Sequence, residues 1–97
     1  MIMSRVTLTL TELSHRVALP VTTVTEIVKL GIVEPEVVDD DWHFDEQVIT
    51  VVSRAVRLHR DLDIDWCGVA LALELLDEVE ALRLENEHLR QRLARFI

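Results

Sequence analysis

Apolar residues recur along this chain with two periods, and each change of period marks an element boundary. Val6, Leu8 and Leu10 alternate with Thr7 and Thr9, which predicts a short strand over about residues 5–10 with one buried face. Thr11 before Glu12 and Leu13 then predicts a helix over about residues 11–18. Its Thr hydroxyl would cap free amides, and Glu12 would sit at the positive end of the helix dipole. Pro20 opens a second helix where its missing N–H is harmless. Val21, Val24, Ile27, Val28 and Leu30 give that helix an apolar face, and Gly31 stops it. Two helices joined only by Ala18-Leu19-Pro20 suggest a helix-turn-helix, a pattern shared with helical hairpins that never touch DNA.

Residues 32–44 read as a loop or ribbon. Asp45 is expected to cap a third helix with Glu46 and Gln47 in its first turn. Val48, Val51, Val52, Ala55, Leu58, His59 and Leu62 mark the core face of that helix, with Arg54, Arg57, Arg60 and Asp61 opposite. After a turn over residues 61–65, Asp65 caps a long final helix.

The long helix carries a spare apolar stripe. Leu75, Val79, Leu82, Asn86, Leu89, Leu93 and Phe96 follow one another at alternating four- and three-residue steps, the seam of a supercoiled helix. With Val79 at a, Asn86 is the single polar residue in the seam, and Glu78 and Glu85 at g precede Arg83 and Arg90 at e. Those charges suit a parallel two-stranded coil; an antiparallel pair would bring the arginines near their own copies, and Asn86 does not forbid it. The stripe either joins two chains or packs back on the chain's own core; the sustained heptads and matched flanking charges predict a dimer.

Composition narrows the function. At 97 residues and with one cysteine, the chain predicts one small domain plus a helical extension, with a core that is marginal unaided. Cys67 excludes an intrachain disulfide and, beside Trp66, reads as a small buried hydrophobe. No targeting peptide or membrane span is expected, which predicts a soluble cytoplasmic protein. The net charge of -8 argues against gripping phosphates. Between Lys29 and Arg54 there is no Lys or Arg, while Glu34, Glu36, Asp39, Asp40, Asp41, Asp45 and Glu46 fall in that interval. Such a run is a solvated face or a landing site for a basic partner, and Val37 and Trp42 interleaved in it favour the second reading.

Catalytic and metal chemistry is not expected. His15, His43, His59 and His88 are far apart, none has zinc-site spacing from another or from Cys67, and two glycines cannot build a phosphate loop. His59 reads as a hydrogen-bonded core residue. No cofactor and no metal site are predicted, and the chain is read as a non-enzyme.

Two resemblances follow from these residues. The run from Glu12-Leu13-Ser14-His15-Arg16 to Leu30-Gly31-Ile32-Val33-Glu34-Pro35, an aromatic-Asp segment and a long terminal helix resemble the winged-helix head of MerR-type regulators. DNA-binding members carry Arg and Tyr in the second helix and in the wing. The matching places here hold Thr22, Thr25, Glu26 and Ile27, then Asp41, Trp42, His43 and Phe44. More specifically, Ile27 to Pro35, Trp42-His43-Phe44-Asp45, Arg54 to Leu58, Leu62 to Leu73 and Glu85-Asn86 through Leu93 are similar to the CbpM family of chaperone modulators.

That resemblance implies a mainly α fold: a MerR-like winged helix-turn-helix head over residues 1–62, with a short N-terminal strand, and a long C-terminal dimerisation helix over residues 63–97. It also implies binding to the J-domain of a CbpA-type DnaJ homologue, with inhibition of its Hsp70 co-chaperone and DNA-binding activities. Glu34, Glu36, Asp39, Asp40, Asp41 and Asp45 are expected to steer the J-domain, with Val33, Val37 and Trp42 anchoring it. Asp61, Asp63 and Asp65 form a rival surface. Leu75, Val79, Leu82, Asn86, Leu89, Leu93 and Phe96 are expected to hold a homodimer. The alternative is a MerR-like transcription regulator, whose only candidate cation cluster is Arg54, Arg57 and Arg60. Direct nucleic-acid binding is not expected.

Overall fold

Local capping chemistry sets where the first elements begin. The computed structural model describes residues 6–97, so the expected start of the first strand at Arg5 lies outside them. Strand β1 spans Thr7–Thr9 and helix α1 spans Leu10–Val17. The cap is Thr9, not Thr11 as the spacing predicts. The Thr9 hydroxyl accepts the Glu12 N–H at 3.2 Å, and the Glu12 carboxylate accepts the Thr9 N–H at 3.1 Å. This reciprocal box closes over three residues, and Thr11 has no Glu at that distance. The Thr9 backbone N–H and then its hydroxyl hold the Glu12 carboxyl below its ordinary range, with His43 nearby adding to the effect.

α1 ends on Ala18 in the left-handed region, φ 56°. Ser14, buried in the helix, donates its hydroxyl proton to the Leu19 carbonyl and so pins the turn. Helix α2 spans Val21–Lys29 with Pro20 as its N-cap. Val24 and Ile27 are fully buried, whereas Val21, also on the predicted face, is exposed. Gly31 at φ 79° turns the chain out of α2, a value glycine adopts without penalty.

The loop or ribbon resolves into a hairpin. Strands β2 (Glu36–Val38) and β3 (Asp41–Asp45) are joined by Asp39 and Asp40 at φ 51° and 66°. Two successive left-handed residues define the type I′ turn that matches the twist of paired strands, and Asp is among the few residues that tolerate it. The sheet order is β1-β3-β2, all antiparallel, with Leu8 opposite Phe44 and Val37 opposite Trp42.

Helix α3 spans Val48–Leu62. Asp45 is the last residue of β3, not the helix cap. Its carboxylate accepts the Gln47 N–H at 2.9 Å and bends the chain two residues early, leaving Glu46 and Gln47 in a turn. Val52 and Ala55 are buried on α3, and Leu62 is exposed. The core is Leu8, Leu13, Val24, Ile27, Val33, Phe44 and Val52, with Trp42 and Trp66 packed against it.

Asp63, left-handed at φ 50°, ends α3, and Asp65 caps α4 (Trp66–Ala94) by accepting the Gly68 N–H at 2.7 Å. A Cβ on Gly68 would come within 3.3 Å of that capping oxygen. His59 closes the corner: its Nδ1–H donates to the Ile64 carbonyl at 2.6 Å, and its ring stacks on Trp66 at 4.2 Å and 13°. Val69 is buried, and from Glu74 onward every residue of α4 is exposed. No helix among the described residues is long and apolar enough to cross a membrane.

Candidate protein-binding surface

The hairpin gathers most of the predicted partner-binding residues at one end of the head. Val37, 66% exposed, faces Trp42 across the strands, and Trp42 stands edge-on to the buried Phe44 ring at 6.2 Å and 88°. Trp42 is thus half-buried and held at a fixed angle, while Val37 projects freely. Glu34, Glu36, Asp39, Asp40 and Asp41 are exposed around this pair, and the half-buried Asp45 is engaged at the α3 entrance.

Val33 has to be corrected. It is 5% exposed and belongs to the core cluster with Leu8, Ile27 and Phe44. It cannot anchor a partner from there.

Asp40, Asp41, Trp42 and His43 also wall a cleft of about 680 Å³ whose other side is Thr9, Leu10, Thr11 and Thr25. The cleft joins hairpin, α1 and α2 and contains no Lys or Arg. The Thr25 hydroxyl donates to the Val21 carbonyl at 2.8 Å, so it is spent on its own helix. Thr22 and Glu26 are exposed on α2.

The rival acidic surface is mostly committed to backbone roles. Asp61 pairs with Arg60 at 3.3 Å on the exposed surface, Asp63 is the left-handed turn residue, and Asp65 caps α4.

The seam residues lie together along one exposed face of α4. Leu75 is 50% exposed, Val79 43%, Leu82 62%, Leu89 54%, Leu93 61% and Phe96 88%, and Asn86 is exposed among them. None of them belongs to the buried core of the head.

Cys67 needs a second correction. It is exposed, not buried, because Trp66 and Val69 take the face of α4 that meets the head. It lines a groove that sequence reasoning missed, between the Leu30–Ile32 turn and α4. Such a groove joins residues nearly forty positions apart, so no local spacing signals it. Among the described residues, no group of three or more His, Cys, Asp or Glu is placed to hold a metal ion.

Comparison with known proteins bears on this arrangement. Residues 8–91 match the family described as MerR HTH family regulatory protein. A chaperone modulatory protein CbpM of Pseudomonas putida is 59% identical over 75 residues, covering 76% of this chain and 74% of the relative. A chaperone modulatory protein CbpM of Escherichia coli is 46% identical over 93 residues, covering 95% of this chain and 92% of the relative. With a helix-turn-helix, a wing and a long terminal helix in place, this chain belongs to the CbpM family of chaperone modulatory proteins, within the MerR-type helix-turn-helix group.

Proposed function

We propose that this chain is a non-enzymatic modulator that binds the J-domain of a CbpA-type DnaJ homologue through its acidic hairpin and thereby inhibits the co-chaperone. J-domains present a basic helix to Hsp70. A protein covering that helix competes with Hsp70, and masking those cations also opposes DNA binding by the co-chaperone. The observation that carries the reading is the hairpin itself: Val37 and Trp42 ringed by Glu34, Glu36, Asp39, Asp40 and Asp41, with no Lys or Arg lining the adjoining cleft. Apolar anchors inside a one-sign rim suit a basic protein surface, the charges speeding encounter and the anchors slowing departure.

The head, residues 1–62, does this work, and α4 joins two copies along its seam. Such a partnership belongs in the bacterial cytoplasm. The alternative, specific DNA binding, is opposed by Thr22, Thr25 and Glu26 on α2 and by the acidic wing, which would repel phosphates.

The test is titration calorimetry of purified J-domain against the wild-type chain and an Asp39→Asn, Asp40→Asn, Asp41→Asn variant. Asn keeps the left-handed turn and removes three charges. Rim charges at about 0.2–1 kcal/mol each predict a loss of about threefold to about a hundredfold at low salt, shrinking as salt rises. A wild-type chain that ignores the J-domain, or a variant that binds equally well, overturns the proposal. Duplex DNA retained at moderate ionic strength would favour the alternative.

A further inference from the structure

We propose that His43 is a proton-operated regulator of the hairpin surface: when its imidazole takes up a proton, a cation appears inside the acidic face and the hold on a basic partner loosens. This inference rests on the reading that the hairpin binds such a partner.

The strand register places His43 at the centre of that face. It is the middle residue of β3, the central strand, opposite Glu36 on β2 and Thr9 on β1. Alternate residues of a strand share one side of a sheet, so Asp41 and Asp45 stand on the same side as His43, one before it and one after. Trp42 and Phe44 take the other side. Directly opposed strand residues bring their Cβ atoms to about 5 Å, which sets Glu36 beside the imidazole. Glu12 of α1 also lies within electrostatic reach of His43. Asp40 lines the adjoining cleft from the turn, β1 presents only the uncharged Thr7 and Thr9 on this side, and α2 contributes only Thr25 to the cleft. No Lys or Arg lines that cleft, so among its lining residues His43 alone can become a cation.

Histidine ordinarily changes charge between about pH 5 and 8, above the range in which carboxylates titrate. Uptake of the proton and capture of a cationic partner oppose each other through linkage, so affinity is highest with His43 neutral and falls as pH drops. A partner cation seated on Glu36, Asp41 or Asp45 lies about 7 Å from the imidazole. At surface dielectric values, repulsion of one or two such cations weakens affinity about threefold to tenfold.

The test is calorimetric titration of the full chain at about pH 8 and about pH 6, with purified J-domain and, separately, with a synthetic Lys-rich helical peptide. His43→Gln keeps a polar side chain that does not titrate. It should match the wild type at the higher pH and bind about threefold to tenfold more tightly than the wild type at the lower. His43→Lys carries a permanent cation, so it should bind more weakly than the wild type at the higher pH and match it at the lower. His15, His59 and His88, and any histidine of the ligand, are common to all three chains and cancel at each pH. Where the J-domain binds, it decides: equal affinities of the wild type and His43→Gln at both pH values overturn the regulator and leave the function proposed above standing. Where the J-domain is ignored and the peptide shows the His43-dependent fall, that function fails and the regulator stands. Binding of neither ligand at either pH, or peptide binding alone with no difference between the wild type and His43→Gln, overturns both.

Discussion

Leu82→Ala separates a helix that stands alone from one built to be shared. Leu82 is 62% exposed in the single chain and lies outside the core, so the substitution should leave the fold unchanged. If the seam joins two copies, that exposed surface becomes buried on association. Fully burying a Leu side chain stabilises by about 1.5–3 kcal/mol, so burying the exposed share contributes about 1–2 kcal/mol per copy and about 2–4 kcal/mol per dimer. At about 1.4 kcal/mol per tenfold, the dimer dissociation constant should rise roughly 30-fold to 700-fold. Sedimentation equilibrium over a wide concentration range measures it, with far-UV circular dichroism at high dilution as the check that the head is intact. Leu84, 50% exposed but at an f position off the seam, supplies the control: Leu84→Ala should change the constant less than about twofold. A wild-type chain that stays monomeric at high concentration, or equal effects at Leu82 and Leu84, would refute the seam.

Three further outcomes follow from the described contacts. Thr9→Ala removes one half of the capping box at α1 and should cost about 1 kcal/mol, seen as a drop of about 4–8 °C in Tm by calorimetry. The same box makes part of the stability pH-dependent: the folded Glu12 carboxyl is held below its unfolded value, so its contribution is present above that value and lost as pH falls through the folded one. NMR titration should find Glu12 deprotonating below the ordinary glutamate range in the wild type and only part of the way back toward it in Thr9→Ala, which loses the hydroxyl but keeps the Thr9 backbone N–H. His59→Ala should cost about 1–2 kcal/mol through loss of the Trp66 stack and the bond to Ile64, and it should alter Trp66 emission when measured in a Trp42→Phe background.

Much of the architecture was legible because it rests on near neighbours in the chain. The apolar steps of α2 and α3, the stop at Gly31, the cap at Asp65 and the exposed seam of α4 each depend on residues within a turn or two. Where local signals competed, the expected boundary differs by two residues: Thr9 and Thr11 are both plausible caps, and the Glu three residues after Thr9 decides between them. The Asp39-Asp40 pair carried a hairpin signal of its own, since two residues that tolerate left-handed backbone sit between β-forming segments.

Sequence alone determined the family, the helical bias, the acid-rich interval and the length of the unpartnered stripe, because these are properties of residue type and spacing. Tertiary structure decided which side of each element faces another. Val33 and Val37 are both apolar and four residues apart, yet one lies in the core and the other in solvent. Cys67 and Trp66 are adjacent, and only the indole turns toward His59 and the head. Burial depends on contacts between segments far apart in the chain, and the groove between the Leu30–Ile32 turn and α4 exists only once those segments meet.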